Sequence, residues 1–252
     1  MPHFYTTQQD LDVGATVQFS DQDAWHLSRV LRCRPGEIVT VVAEEGVEHE
    51  VRLDTLAADA VAGTVVASRR ARREPRARIH VIQALPKGPG MTACCEQLTE
   101  VGAASIRPVL THNTVARPDA AAAARRLERW RTVTREAAQL ARRHRIPPVA
   151  ELRPLVDSLR DLRDQEPSLQ MFVCHEGEQR QSLASAPFER DQPCAVCIGP
   201  EGGFLLDEVQ QLVALGARPV TLGPRVLRTT LAGVVAVTAL LTRSGDLEAP
   251  AG

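Results

Sequence analysis

The apolar segments of this chain change their spacing near Arg78, and this change constrains the fold more than any other feature of the sequence. Before it, short alternating apolar and polar segments, separated by turns, predict strands at 38–42, 47–53 and 60–67. After Arg78, segments with apolar residues at helical spacing alternate with continuous apolar segments of strand length. The strand-length segments are 79–85, 105–110, 169–174, 194–198 and 219–222. The pattern predicts an α/β domain with a mainly parallel sheet, preceded by a smaller, mostly β domain.

The smaller domain is expected to be β-barrel-like. Ser20 and Asp23 have the spacing of a helix-capping motif and predict a short helix that runs through Leu31. A turn at 44–46 joins the first two strands. The arginine-rich stretch 69–77 contains a proline and is the expected linker, so we predict domains at 1–72 and 73–252.

Composition excludes several classes of protein. The chain has 252 residues, of which 44% are hydrophobic and 24% charged, as is ordinary for a globular protein. No apolar run is long enough to span a membrane, and the N-terminus lacks the basic start and apolar core of a secretory signal. We therefore expect a soluble protein in the cytoplasm that makes no contact with a membrane.

The cysteines give no indication of a metal site. Cys194 and Cys197 have the C-x-x-C spacing of zinc and redox sites, but they lie in an apolar segment typical of a buried strand. Residues three apart on a strand point to opposite faces. Cys94 and Cys95 are adjacent in a predicted helix and also diverge. We expect reduced, buried thiols and no metal.

Basic residues are clustered although the net charge is only -1. One cluster spans 69–78, where a solvated face is the expected interpretation, and the other spans 125–145. Such patches can hold phosphates even when the total charge is near zero. Aromatic residues make up only 3% of the chain, so Trp25 and Trp130 are expected in the core, and recognition of any nucleic acid should depend on phosphates and shape.

Two glycine-containing loops, 198–204 and 222–228, directly follow predicted strands. Ligands of open parallel sheets bind beyond the carboxyl ends of the strands, and glycines let the backbone approach a ligand closely. Neither loop is a P-loop or a G-x-G-x-x-G motif. The first loop alone could be a plain strand-to-helix turn, but the second loop, which ends in Arg228, favours a binding site.

These loops resemble the two signature loops of the RsmE family, the small-subunit ribosomal RNA methyltransferases of the SPOUT superfamily. The resemblance covers nearly the whole chain. Its other matching segments are 26–32 with Pro35 and Gly36, 85–88, 99–102, 135–138 and 143–147.

The resemblance implies an α/β fold of SPOUT type, with a mainly parallel sheet, a C-terminal trefoil knot and a small N-terminal PUA-like β-barrel domain that binds RNA. It also implies a homodimer formed through the knotted domain. The knot loops would hold S-adenosylmethionine through His175, Ile198, Gly199, Pro200, Gly202, Leu222, Gly223, Val226 and Leu227.

The reaction implied is methyl transfer to N3 of a uridine in small-subunit (16S) ribosomal RNA. Arg228 is the first catalytic candidate, because a guanidinium can stabilise negative charge on the uridine carbonyl oxygens; alternatively it ties the loop to Glu201. Glu201 could act as a base, but organising its loop is the expected role. Arg143 could bind a phosphate, reach the partner's site or lie on a helix surface. The RNA-binding candidates are Arg29, Arg32, Lys87 and Arg143, whereas His26 is expected to be a packing residue.

The chain departs from the family pattern at positions where polar groups are expected near the substrate: His3, Gln97, Leu140, Ala141, Thr230 and Leu231. The cofactor loops match the pattern by comparison. Two further functions therefore stay open. One is a SPOUT paralogue that binds ribosomal RNA as an assembly factor with little catalysis, and the other is a methyltransferase acting on a different RNA.

Overall fold

The computed structural model describes residues 2–43, 46–57 and 60–248, and its chain forms two compact units. The first unit contains the chain as far as Glu74 together with Ala138–Arg145, and the second contains Pro75–Ala137 and the chain from Ile146 onward. Two residues of the turn predicted at 44–46, Glu44 and Glu45, lie outside the described residues. The return of 138–145 to the first unit was not predicted from the sequence.

The first unit is built on a five-stranded sheet that curls into a half-barrel. The strands His3–Tyr5 and Ile38–Val42 pair in parallel, and the other neighbouring strands are antiparallel. Successive side chains of a strand point to opposite faces of the sheet, so every second residue can enter the hydrophobic core, which includes Phe4 and Val41. Along the sheet the strands are β1 (His3–Tyr5), β3 (Ile38–Val42), β4 (Val47–Leu56), β5 (Val61–Arg70) and β2 (Thr16–Gln18).

A short helical segment closes one side of this core. Ser20 caps α1 (Asp21–Trp25), as predicted, because its hydroxyl oxygen accepts the backbone N–H of Asp23. The helix then widens into a π-helical turn at His26–Val30, which the sequence pattern did not predict. The ring of His26 lies edge-on to that of Phe4, with 6.1 Å between centroids, which agrees with a packing role.

The second unit contains a six-stranded sheet in which every pair of neighbouring strands is parallel, and this confirms the predicted sheet type. The two central strands are fully buried because helices cover both faces. In order across the sheet the strands are β11 (Arg218–Val220), β9 (Gln170–Cys174), β10 (Cys194–Ile198), β6 (Ile79–Ala84), β7 (Ser105–Leu110) and β8 (Arg153–Pro154).

Cys194 and Cys197 lie on opposite faces of β10, as predicted. Cys194 packs into the hydrophobic core on one side of the sheet, and Cys197 packs into the core on the other side. Burial raises the pKa of both thiols above its ordinary value, and it raises the pKa of Cys94 and Cys95 to about 12. Within the described residues all the cysteines are free, and no group of three or more His, Cys, Asp and Glu side chains could hold a metal ion.

Among the described residues, four helices connect strands of the second sheet and a fifth follows its last strand. The helix after β6 ends at Gly102, whose φ of 105° places it in the left-handed region, as the predicted stop at this glycine requires. The sequence pattern did not predict the fourth helix of the chain, although its buried leucines recur at helical spacing. No helix in the described part of the chain is long and apolar enough to cross a membrane. The helices are α2 (Gly90–Val101), α3 (Ala120–Leu140), α4 (Leu155–Gln165), α5 (Leu206–Ala214) and α6 (Thr229–Ser244).

The parallel order brings the carboxyl ends of β9, β10 and β11 to one edge of the sheet. The loops that follow these strands, including both glycine loops of the sequence analysis, therefore meet there. The trefoil knot, which depends on how the chain threads through this edge, stays a prediction.

Candidate functional site

The loop after β10, residues 199–204, is a tight turn whose backbone approaches itself closely. Gly203 has a φ of 66°, and its N–H donates to the carbonyl of Pro200 over 2.9 Å. A Cβ added to Gly199 would lie 3.3 Å from the carbonyl carbon of Gly203, so a larger side chain would push the turn open. The glycines thus serve the shape predicted for this loop.

Side chains from neighbouring loops hold this turn in place. Asn113, which follows β7, donates through Nδ2 to the carbonyls of Gly202 (2.9 Å) and Gly203 (3.2 Å). Glu208, on the first turn of α5, accepts the N–H of Leu205 over 2.9 Å and that of His112 over 2.8 Å. Neither residue belongs to a motif recognisable in the sequence, and only their closeness to strand ends in the chain could indicate them.

Glu201 connects the first glycine loop to a neighbouring loop. Its Oε1 accepts the backbone N–H of Lys87 over 2.9 Å, and this bond ties the loop after β10 to the loop after β6. The side chains of both residues are exposed. The bond uses the main chain of Lys87, so its ammonium group is not part of this link.

A buried hydrogen-bond relay joins β6, the first glycine loop and the start of α6. Thr229 donates through Oγ1 to the carbonyl of Gly199 over 2.5 Å, and the same oxygen accepts Nε2 of Gln83 over 3.0 Å. The amide of Gln83 also donates to the carbonyl of Ala84 over 3.0 Å and is fully buried. The relay fixes the first glycine loop against the helix that follows the second.

The second glycine loop, residues 222–228, has an open backbone. Thr221 holds its beginning, since its Oγ1 accepts the N–H of Gly223 over 3.1 Å. Gly223 has a φ of 108°, and a Cβ built there would meet no atom within 4 Å. Val226 is 84% exposed, and Arg228 is exposed at the residue that caps the start of α6. The loop therefore offers backbone and an arginine side chain to solvent.

The third loop at this edge follows β9. The N–H of His175 donates to the carbonyl of Val220 over 3.0 Å, which joins this loop to β11. Oε1 of Glu176 would lie 3.4 Å from a Cβ on Gly203, so the loop also borders the first glycine turn. The candidate cofactor residues of all three loops thus lie on connected segments.

A separate opening of about 380 Å³ lies at the end of β7. Its polar lining includes Arg117 and Glu208, but these groups already bind backbone. Arg117 donates to the carbonyls of Thr111 (2.9 Å) and His112 (3.2 Å). The opening is therefore less suited to a ligand than the glycine loops are.

The candidate residues of the first unit lie in different environments. Arg29 and Arg32 are exposed, as RNA contacts require, whereas Arg143 is only 4% exposed. The guanidinium of Arg143 pairs with Glu74, with 2.5 Å between Nη2 and Oε2, and its carbonyl accepts Nε2–H of His3. This geometry gives no support to a phosphate or substrate contact by Arg143.

The departures from the family pattern fall mostly at the surface. Leu140 is 75% exposed and Leu231 is 46% exposed, so each places an apolar side chain where the pattern has a polar one. Gln97 is exposed, and Ala141 and Thr230 are half-buried. His3 differs from the others because it is buried beside Arg143.

Comparisons with known proteins agree on one relationship. The family model described as the RNA methyltransferase domain matches residues 72–241. The ribosomal RNA small subunit methyltransferase E of Mycobacterium bovis is 33% identical over 242 residues, which cover 94% of this chain and 91% of that protein. The enzyme of the same name from Bacillus subtilis is 25% identical over 240 residues, covering 93% of each chain.

A solved structure shows the same fold. It is a ribosomal RNA small subunit methyltransferase E from Neisseria gonorrhoeae bound to S-adenosyl methionine. The identity is 30%, the TM-score is 0.85, and the match covers 96% of this chain and 98% of the other.

Proposed function

Because the chain belongs to the family of the ribosomal RNA small subunit methyltransferase E, we propose that it methylates N3 of a uridine in small-subunit (16S) ribosomal RNA, with S-adenosylmethionine as methyl donor. Methyl transfer to this RNA is the activity of the family. The choice of uridine N3 follows the resemblance of the two glycine loops. The observation that carries the proposal is the bond from Thr229 to Gly199, which holds both loops at one sheet edge. We place the reaction in the cytoplasm, where ribosomal subunits are assembled.

The glycine loops fit S-adenosylmethionine. The open face of Gly223 and the exposed residues 224–226 leave space for an adenine against main-chain groups. Gly199 lets the first loop fold back tightly on itself, because a Cβ there would press on Gly203 and Phe204. We assign the cofactor to Ile198, Gly199, Pro200, Gly202, Leu222, Gly223, Val226 and Leu227, with His175 at the border of the site.

When bound, S-adenosylmethionine would supply an activated methyl group and leave as S-adenosylhomocysteine, while N3 of the uridine would give up its proton to solvent before it accepts the methyl group. The protein's task is to position the base and to stabilise the negative charge that spreads onto its carbonyl oxygens. Arg228 is exposed at the end of the second loop, and its guanidinium offers fixed donors for this charge. Glu201 keeps the turn in shape through Lys87, so we assign it a positioning role.

We propose that the active form is a homodimer built through the second unit. Val226 and Leu231 are large apolar residues exposed near the start of α6, where a second copy would cover them. Light scattering that compares the mass of the full chain with that of its Leu231→Glu variant tests the proposed dimer. A wild-type protein that is monomeric at micromolar concentration would contradict the proposal.

The experiment that tests the reaction is transfer of a labelled methyl group to isolated small ribosomal subunits. Arg228→Ala should lower kcat by about 100-fold to 1,000-fold, because a donor to developing charge is lost. Arg160→Ala, an exposed arginine of α4 with no assigned role, is the matched control and should keep wild-type kcat. Unchanged activity of Arg228→Ala would remove this residue from the reaction.

The site of modification is tested separately. Mapping of the modified nucleotide should find the label on N3 of one uridine. Label on another RNA would favour a different methyltransferase, and cofactor binding with no transfer to any RNA would favour the assembly factor.

A further inference from the structure

The turn of helix in the first unit exposes an unusual set of side chains. Along residues 21–30 only Asp23, Ala24 and Leu27 are buried. Trp25 is 61% exposed, Val30 51% and Leu31 40%. Trp25 was expected in the core, and this expectation is wrong, because the inward positions of the helix are taken by Ala24 and Leu27. The other tryptophan, Trp130, is 3% exposed, as predicted.

The backbone of this segment is irregular where the side chains are exposed. Residues 26–30 form a π-helical turn, closed by the bond from the N–H of Leu31 to the carbonyl of His26 over 2.9 Å. The next residue, Arg32, has a φ of 53°, a conformation that costs energy for a residue with a Cβ. π-turns and such strained residues occur preferentially at functional sites.

The segment that carries Trp25 is rich in positive charge, although the exposed Asp21 precedes it and Glu37, which contacts Cys33, follows it. Between residues 24 and 36 there is no acidic residue, while Arg29, Arg32 and Arg34 are all exposed. In the part of the chain that the structure describes, none of these three guanidinium groups forms a salt bridge. Arginines beside an exposed indole can bind phosphates while the indole stacks on a base.

We propose that Trp25 is a base-stacking residue for single-stranded RNA, flanked by Arg29, Arg32 and Arg34 as phosphate ligands. The proposal rests on the proposed function, since it assigns a docking surface for that substrate. It differs from the expectation of recognition by phosphates and shape alone. A stacking tryptophan requires an unpaired base, so the surface should select single strands over duplex RNA.

A second copy of the chain fits this surface less well. A two-fold interface pairs a patch with itself, and it would bring Arg29, Arg32 and Arg34 against the same three arginines. Like charges facing each other in an interface are unfavourable. A polyanion neutralises the three arginines and covers the indole at the same time.

The test uses fluorescence, because only two tryptophans are present and one is buried. Titration of the full chain with a single-stranded oligouridine should quench the emission of Trp25, and a duplex RNA of equal length should quench it much less. In binding assays with labelled oligouridine, Trp25→Leu should weaken affinity by about 10-fold to 100-fold, while Trp25→Phe should retain part of it. Val13→Ala, at a residue of the same unit that is 66% exposed, is the control and should bind like wild type.

Each phosphate contact should also appear in the salt dependence. Arg29→Gln and Arg32→Gln should each reduce the slope of log affinity against log salt by about 0.7. The affinity of Trp25→Leu for S-adenosylmethionine should be unchanged.

The outcomes separate the two proposals. If wild-type protein transfers methyl groups to the subunit and Trp25→Leu binds RNA and reacts equally well, the stacking proposal is wrong and the proposed function stands. If wild-type protein binds oligouridine with quenching but never transfers a methyl group, the stacking proposal stands and the proposed reaction fails. Self-association that Trp25→Leu abolishes, without quenching by RNA, would instead identify a protein interface and overturn the proposal.

Discussion

Thr229 is the residue on which the geometry of the candidate site most depends. Its single hydroxyl hydrogen is used for the carbonyl of Gly199, so its oxygen must accept from Gln83, and this fixes the direction of the relay. Thr229 and Gln83 are both buried. No water can therefore replace a lost partner easily, and an unmade hydrogen bond here is costly.

We predict that Thr229→Val weakens binding of S-adenosylmethionine by about 10-fold, because the variant keeps the shape but leaves the Gly199 carbonyl unpaired. Thr229→Ser keeps the hydroxyl and should restore affinity to within a few fold of wild type. Calorimetric titration of the cofactor measures both. Equal affinities for the Val and Ser variants would show that the relay is structural packing only, and an accompanying thermal unfolding curve establishes that each variant is folded.

The residues of the glycine loops can be predicted from the sequence, because they form a recognisable pattern. The side chains that bond to these loops and hold them in place cannot. Glu201 and the glycines were named because the loops have a distinctive composition. Asn113, Glu208 and Thr229 contribute through contacts between segments about 30 to 100 residues apart, and nothing in their local sequence indicates those contacts. Arg143 lies in a basic stretch of the sequence but is buried against Glu74, and no local pattern indicates this contact.

At the scale of elements, the strands are well predicted from the sequence. Burial on one face of a strand gives alternating apolar and polar residues, and burial on both faces gives a short continuous apolar run. β3, β7 and β10 have the predicted bounds. The strand β1 pairs in parallel with β3, a long-range contact that three residues cannot encode by pattern. The helix α4 was missed although Leu155, Leu159 and Leu162 share one face, because Pro154 and the charged residues between obscure the stripe.

A buried ionic cluster joins β4, β5 and the segment after α3 within the first unit. Glu48 is 2% exposed, and it pairs with Arg69 (2.6 Å), Arg73 (2.8 Å) and His144 (3.3 Å). Burial alone would raise the pKa of Glu48, but the hydrogen bonds from Arg73, Arg69 and His144 outweigh it and lower the pKa to about 2. Burial lowers the pKa of the neighbouring His3 to about 4.

We predict that both groups make the protein less stable in acid. Between pH 6.5 and 4 the unfolded chain binds a proton at His3 that the folded chain does not, so the free energy of unfolding falls as the pH falls. Glu48 loses its contribution in the same way between pH 4.5 and 2. The loss from His3 should be about 2–3 kcal/mol.

Urea unfolding of the full chain at pH 7 and pH 4.5 measures this, together with a proton NMR titration of His3. His3→Gln keeps a donor for the Arg143 carbonyl but cannot titrate, so its stability should change less between these pH values. Parallel pH dependences for wild type and His3→Gln would contradict the assignment.

At the scale of the whole molecule, each unit has its own hydrophobic core. The core of the first unit contains only residues up to Val65, and the two cores of the second lie on opposite faces of its sheet. The glycine loops and the residues that hold them all belong to the second unit. Ligand binding stabilises the part of a protein that forms the site, by an amount set by ligand concentration and affinity.

We therefore predict that S-adenosylmethionine slows amide hydrogen exchange in the second unit alone. At a concentration about 100-fold above Kd the added protection is limited to about 2.7 kcal/mol, and it should be greatest at 196–204 and 220–230. Amides of β3, β4 and β5 should exchange as they do without cofactor, because these strands belong to the first unit. Thr229→Val at the same cofactor concentration is the control and should show less protection in both glycine loops. Protection of β3–β5 in the wild-type protein would mean that cofactor binding affects both units. The prediction that cofactor binding is independent of the RNA-docking surface around Trp25 would then be wrong.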